Sequence, residues 1–395
     1  MSKSHEPDTY TIRIKGYHSQ QWLSQFDDMT ITLTEDGETK FMNTVRSNHM
    51  SNINNQLQDL IEKEYRKPNT HNAVLGVQSG DGSVNFRGAV GDASPDSPYF
   101  IASITKMFTA SVIMQLVDEG RLDLDAPIQQ YLPHLQLDGL HVYKGVDYSQ
   151  QLKVYQLIHQ TSGLADYYED GLINDLKRNR DGAYTLDDVF TMVRDMEASN
   201  VPASGKSYYS DTNYQLLGAI IESITDCPLA QVFQARIFDL LQLNQTYVFD
   251  HAQPRHEPIP IYNESLRLNI PLALSSMAPD GAIVSTLSDN LTFLKAYFDG
   301  KLFDARHFDR MMQWNPMFFP MQYGYGLWRF KLPRWMTLFR ESPELIGHAG
   351  SSGAMAFYAP DKDLYIVGSF NQIDKPSRPF NFMLKVINII DKASA

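Results

Sequence analysis

Three short stretches of the 395-residue chain hold residues whose types and spacing support chemistry. In Ser103-Ile104-Thr105-Lys106 the serine and the lysine stand three positions apart. On a helix such positions share a face. A serine hydroxyl is a weak nucleophile until a base takes its proton. A lysine held in an apolar site has a lowered pKa and serves as that base. The stretch opens a long apolar run, so a helix N-terminus here offers positive potential and backbone N–H groups to a developing oxyanion. The same residues also read as an N-capping serine beside a surface lysine. A lysine on an otherwise apolar helix, however, is costly unless it has a partner.

The second stretch is Tyr208-Tyr209-Ser210-Asp211-Thr212-Asn213-Tyr214, just before a helical pattern. Thr212 or Asn213 suits the N-cap. A tyrosine on such a loop can shuttle a proton between Ser103 and a leaving group, or simply pack at a core edge. The third is Gly347-His348-Ala349-Gly350-Ser351-Ser352-Gly353, which leads into a strand. Glycines beside a strand admit close backbone approach, and the N–H groups there can complete an oxyanion hole or pair with an extended substrate. The alternative is a hairpin entry with one solvated histidine.

The elements that must position these residues follow from hydrophobic period. Residues 8–42 alternate at Thr9 to Ile14 and at Met29 to Thr34, with an Asp36-Gly37 turn before Lys40-Phe41. That predicts a β-appendage of two or three strands. A helical pattern starts at Ser51 (Ile53, Leu57, Leu60, Ile61), followed by strands at Ala73 to Gln78 and Val84 to Val90. Ile101 to Asp118 is apolar on nearly all sides and stops at Gly120, the mark of a central buried helix. Residues 121–275 read as helical patches between Pro, Gly and Asp loops, notably Leu152 to His159 and Tyr214 to Thr225. Strands return at Met355 to Ala359 and Leu364 to Phe370, around Pro360-Asp361-Lys362-Asp363, and Phe380 to Ile390 reads as a last helix. Strands early, helices in the middle and strands late predict an α+β fold. It has an antiparallel sheet built from both ends of the chain, flanked by helices, with a mostly helical lobe at about 121–275. We expect an appendage at 1–45 and one catalytic unit at 46–395, because one site would need Ser103, Tyr209 and His348 together.

Composition removes several function classes. Net charge is −12, which disfavours nucleic acid and anionic lipid. The single Cys227 excludes an intrachain disulfide and any multi-cysteine metal site. There is no Gly-x-Ser-x-Gly elbow, Walker A, Gly-x-Gly-x-x-Gly or His-Glu-x-x-His, and the histidines are scattered. No metal is expected. The polar start from Met1 to Asp8 and the lack of a long uncharged apolar run predict a cytoplasmic protein without a membrane span.

The three motifs in this order resemble the penicillin-recognising serine hydrolases, in the branch of class C β-lactamases, DD-carboxypeptidases, D-aminopeptidases and family VIII carboxylesterases. Phe100-Ile101-Ala102, Gly120-Arg121-Leu122-Asp123, His159-Gln160-Thr161-Ser162-Gly163-Leu164 and Pro279-Asp280-Gly281 extend the likeness, which covers roughly residues 50–393. The resemblance implies an antiparallel sheet flanked by helices with a helical lobe. It implies Ser103 as the acylated nucleophile, Lys106 and Tyr209 sharing the proton transfers, and the N–H groups of Ser103 and Ser351 as the oxyanion hole. Asp211, His348 and Gly350 would line the cleft, and no cofactor is needed.

Two departures from the family pattern shape the substrate expectation. Asp211 stands where asparagine is usual. A carboxylate only accepts hydrogen bonds, and beside Lys106 it raises the lysine pKa, which moves the base role toward Tyr209. His348 stands where β-lactamases carry lysine and is mostly neutral at pH 7. Both point away from penicillins toward neutral esters, amides or substrates bearing an ammonium. The expected activity is hydrolysis of a small ester or an amide or peptide, of carboxylesterase or D-amino-acid peptidase type, with weak or no β-lactamase activity. A catalytically silent sensor on the same fold, or a transacylase, are the alternatives, and a dimer is compatible with the sequence.

Overall fold

The computed structural model describes residues 10–15, 29–33, 38–43, 45–253, 255–333 and 342–394. Three strands open the chain: β1 (Tyr10–Lys15), β2 (Met29–Leu33) and β3 (Glu38–Asn43). They form a separate antiparallel sheet with β3 in the middle. The expected Asp36-Gly37 turn lies outside the described residues.

Helix α1 (Val45–Tyr65) leads into strands β4 (Asn72–Ser79) and β5 (Asn85–Gly91). The buried helix follows as α2 (Thr105–Asp118), then α3 (Val154–Ile158), α4 (Thr212–Thr225) and α5 (Leu287–Phe298). The chain ends with strands β6 (Asn315–Pro316), β7 (Met321–Tyr323), β8 (Trp328–Phe330), β9 (Leu345–Ala349), β10 (Ala354–Ala359) and β11 (Leu364–Ser369), and helix α6 (Arg378–Ser394).

One eight-stranded antiparallel sheet runs in the order β6-β7-β8-β9-β10-β11-β4-β5. The α+β expectation holds: the two ends of the chain meet where β11 pairs with β4, Leu364 opposite Ser79. Alternation along β4 sorts the two faces. Ala73, Leu75 and Val77 pack with Ile53, Leu57 and Ile61 of α1 and with Met383, Val386 and Ile387 of α6. Val74 on the opposite face joins Met107, Phe108 and Ile113 of α2 and Leu287 and Phe293 of α5. The Phe108 and Phe293 rings stack at 3.6 Å. Each such fully buried side chain contributes about 1.5–3 kcal/mol, so α2 is pinned from all sides. Among residues 121–275 the helices are joined by long loops and two small hairpins, Val142–Tyr143 with Val146–Asp147 and Tyr262–Asn263 with Leu266–Arg267. Those hairpins are absent from the sequence reading, because two-residue strands leave no period to detect. Among the described residues no single helix is long and apolar enough to cross a membrane.

Candidate active site

Ser103 sits in a tight turn, Ala102–Ile104, that feeds α2, two residues before the helix proper. Ala102 takes a left-handed backbone with φ +47°, which costs an L-residue roughly 1–2 kcal/mol. Neighbouring elements hold the turn in place. Ile101 N donates to Ile283 O at 3.0 Å, and Ser352 Oγ donates to Phe100 O at 3.2 Å. Gly350 lies so close that a Cβ there would stand 2.7 Å from Ile101 O. The glycine of the third motif is therefore a contact requirement, and it sets Ser351 beside Ser103 on the wall of one cavity.

Lys106, in the first turn of α2, is fully buried. Its Nζ donates to Ser103 Oγ at 3.1 Å, to Asp280 O at 3.0 Å, and to the Asp211 carboxylate. Burial pulls the ammonium down, but the charges of Asp211 and Asp280 outweigh it and hold Lys106 above its ordinary range. The lowered pKa of a lysine in an apolar site is thus corrected, and the rise expected from Asp211 is what the site shows. Burial, then the Asp211 charge, pushes the Asp280 carboxyl up to about 7. Tyr167 and Gln215 donate to its Oδ2 at 2.8 and 3.0 Å.

The loop carrying Tyr209 and Asp211 is fixed from below by Gln160, itself at φ +58°. Gln160 Oε1 accepts from Ser210 N at 2.9 Å and from Asn213 Nδ2 at 2.5 Å. Ser162 Oγ donates to Asn213 Oδ1 at 2.6 Å, and Asp211 N donates to Asp166 Oδ1 at 3.0 Å. Helix α4 starts at Thr212 with Asp211 as N-cap and no side-chain capping bond. The expected Asn213 or Thr212 cap is therefore corrected, since Asn213 is spent on Gln160 and Ser162.

The Tyr209 ring meets Tyr323 and Trp328 edge-on, with centroids 5.9 and 5.7 Å apart, and lies 5.1 Å from Lys106 Nζ. Its hydroxyl lies by Ser103 and has no hydrogen-bond partner among the described residues. Burial, then Asp211 and Tyr323, pushes the phenol well above its ordinary range.

His348, expected to line the cleft, is fully buried behind Tyr209 and Tyr323. Its Nδ1 lies 2.7 Å from Ala349 O and so must carry the proton, which leaves Nε2 to accept from Tyr323 Oη at 3.4 Å. Burial and the Lys106 charge push it well below its ordinary range, so the ring is neutral and acts as a prop. The rings of Tyr209, Tyr323 and Trp328 pack around His348, so Ala349, Gly350 and Ser351 reach the cavity wall and the imidazole does not.

The cavity measures about 800 Å³ and is lined by Ser103, Tyr209, Asp211, Trp328, Gly350 and Ser351, among others. A narrow apolar pocket of about 50 Å³ shares Ser103, Asp211 and Ser351 with it and ends on Phe100, Leu176 and Met277. Asp166, Gln160, Tyr168 and Tyr323 are site residues that sequence reasoning missed. Gln160 and Asp280 lay inside quoted segments without a role, and nothing in the sequence marks Asp166. Among the described residues no group of three or more His, Cys, Asp or Glu is placed to hold a metal ion.

The chain belongs to the Beta-lactamase family, whose model matches residues 57–386. Protein flp of Staphylococcus aureus (strain MW2) is 32% identical over 201 residues, 48% of this chain and 37% of that protein. The chain thus spans little more than a third of the length of that curated relative. Among solved structures, the D-amino acid amidase from Ochrobactrum anthropi SV3 complexed with L-phenylalanine amide is similar at TM-score 0.73 and 23% identity, over 87% of this chain and 100% of its own. The D-stereospecific amidohydrolase from Streptomyces sp. is similar at TM-score 0.66 and 25% identity, over 82% and 95%.

Proposed function

We propose that the chain is a serine hydrolase that works through an acyl-enzyme on Ser103, with a small amide or ester as substrate and little activity on β-lactams. The observation that carries this is Lys106 Nζ, which touches Ser103 Oγ on one side and the Asp211 carboxylate on the other. In the resting site Lys106 and Tyr209 both keep their protons, so neither is a free base. Asp211 supplies the missing acceptor. As Ser103 attacks the substrate carbonyl, its proton passes to Lys106 while Lys106 hands one to Asp211. The serine oxygen is left to bond carbon, Lys106 stays an ammonium and Asp211 becomes neutral. Tyr209, a phenol beside Ser103, then protonates the leaving group and recovers its proton from the relay. The N–H groups of Ser103 and Ser351 would hold the oxyanion. Water then cleaves the ester on Ser103 by the reverse relay.

The sequence expectation gave Tyr209 the base role. The raised phenol pKa favours a donor role instead. The two structural relatives are by name a D-amino acid amidase and a D-stereospecific amidohydrolase, which supports amides over penicillins. The test is labelling by a fluorophosphonate together with turnover of a p-nitrophenyl ester. Wild type should label and turn over, and Ser103→Ala should do neither. Equal labelling of both, or turnover of a chromogenic cephalosporin as fast as the ester, would overturn the reading.

A further inference from the structure

Asp280 is held by one carboxylate oxygen and not by the other. The residue is 2% exposed. Tyr167 Oη and Gln215 Nε2 donate to Oδ2 at 2.8 and 3.0 Å, and the backbone O accepts from Lys106 Nζ at 3.0 Å. Oδ1 is buried and has no hydrogen-bond partner among the described residues. Burying an acceptor without a donor is costly. Asp280 lines the narrow pocket of about 50 Å³, and so do Ser103, Asp211 and Ser351. Phe100, Leu176 and Met277 close the far end of that pocket and keep bulk water from it. The relay through Lys106 and Asp211 gives Asp280 no task.

We infer that Asp280 is a catalytic residue of deacylation: its Oδ1 holds the hydrolytic water in the narrow pocket beside Ser103 and takes a proton as that water attacks. The inference rests on the acyl-enzyme reading of Ser103. A water needs roughly 10–15 Å³ of such space and two to four polar partners. The pocket offers about 50 Å³, with Asp211, Asp280 and Ser351 in its wall. In the step, the water oxygen bonds the acyl carbon, one water O–H breaks toward Oδ1, and the bond from carbon to Ser103 Oγ opens. Lys106 gives Oγ a proton. The proton on Asp280 then passes to Asp211 and on to Lys106, so the ammonium and both carboxylates are restored. Tyr167 and Gln215 keep the carboxyl from turning while this happens. A base works best when its pKa lies near the working pH. Burial, then the Asp211 charge, brings Asp280 to about 7.

The experiment follows hydrolysis of p-nitrophenyl acetate, with intact-protein mass spectrometry to weigh the acetyl-enzyme. For such an activated ester kcat/KM reports acylation and kcat reports deacylation. In Asp280→Asn the amide still accepts from Tyr167 and Gln215 but takes no proton. Its kcat/KM should stay within about threefold of wild type, its kcat should fall about 10²–10⁴-fold, and an acetyl adduct should accumulate on Ser103. In wild type kcat should rise with pH through about 7, as the carboxyl ionises, and the variant should lose that limb. A fall of kcat and kcat/KM together would mark a structural loss and overturn the inference. So would an unchanged kcat, or a wild-type kcat indifferent to pH around 7. A wild type that neither turns over nor takes up acetyl would end the hydrolase reading and this inference with it. An adduct that forms and clears equally fast in both proteins would end this inference alone. The wild-type pH profile remains decisive even if Asp280→Asn fails to fold.

Discussion

A lysine ammonium with no exposed surface must be matched by charge and hydrogen bonds, or it gives up its proton. Lys106 is matched by Asp211 and by the Asp280 carbonyl, so it stays charged. The cost falls on the neighbouring carboxyls, because too many are gathered around one cation. Asp280 is pushed from its ordinary 3.8 to about 7. A folded-state value above the unfolded one means the folded chain binds more protons between those two pH values. This group's contribution to stability is then full below the lower value and lost as pH rises through the upper one. Asp280→Asn keeps an acceptor for Tyr167 and Gln215 but does not titrate. In urea unfolding followed from pH 4 to pH 7, the difference between variant and wild type should move steadily in the variant's favour. A flat difference would refute the assignment. Tyr209→Phe separates chemistry from packing. Its hydroxyl has no partner among the described residues, so the thermal midpoint should hold or rise, while kcat on an ester falls about 10²–10⁴-fold. An unchanged kcat would remove Tyr209 from the proton path.

Elements meet at the site through close backbone approaches that side chains cannot supply. Gly326, in the turn between β7 and β8, adopts φ +70°, and a Cβ there would stand 2.5 Å from the Ala110 Cβ and 3.5 Å from Lys106 O. Gly326→Ala should therefore cost at least about 1–2 kcal/mol for the left-handed backbone alone, and it should also lower kcat, because the turn bears on the helix that carries Lys106. Unfolding in urea gives the first quantity and ester turnover the second. A variant as stable as wild type would show that the turn moves freely. Helix α2 was legible in the sequence, since an all-round apolar run has few other fates. The Asn213 cap was not, because a good capping residue was outcompeted by the buried amide of Gln160. Local propensity lost to a tertiary partner there.

Across the whole molecule, the eight-stranded sheet and the two cores that cover its faces draw on residues 53–390. Strands β1, β2 and β3 form a sheet of their own. A chain beginning at residue 45 is thus expected to fold, to show one cooperative unfolding transition and to label with a fluorophosphonate. Loss of that transition would tie the first strands to the main body. The sequence alone determined the fold class, the order of strands and helices, and the three motifs, which hold Ser103 and Lys106, Tyr209 and Asp211, and Gly350 and Ser351. Period and residue type are local properties, and those features are written locally. The sequence paired Lys106 with Asp211 alone, and only the tertiary structure decided which further charges share the site. Asp166, Asp211 and Asp280 converge on Lys106 from separate segments of the chain, and the Tyr209, Tyr323 and Trp328 rings packed around His348 leave it out of the cavity wall. Electrostatics depends on distance through space and on burial, and neither is encoded in spacing along the chain.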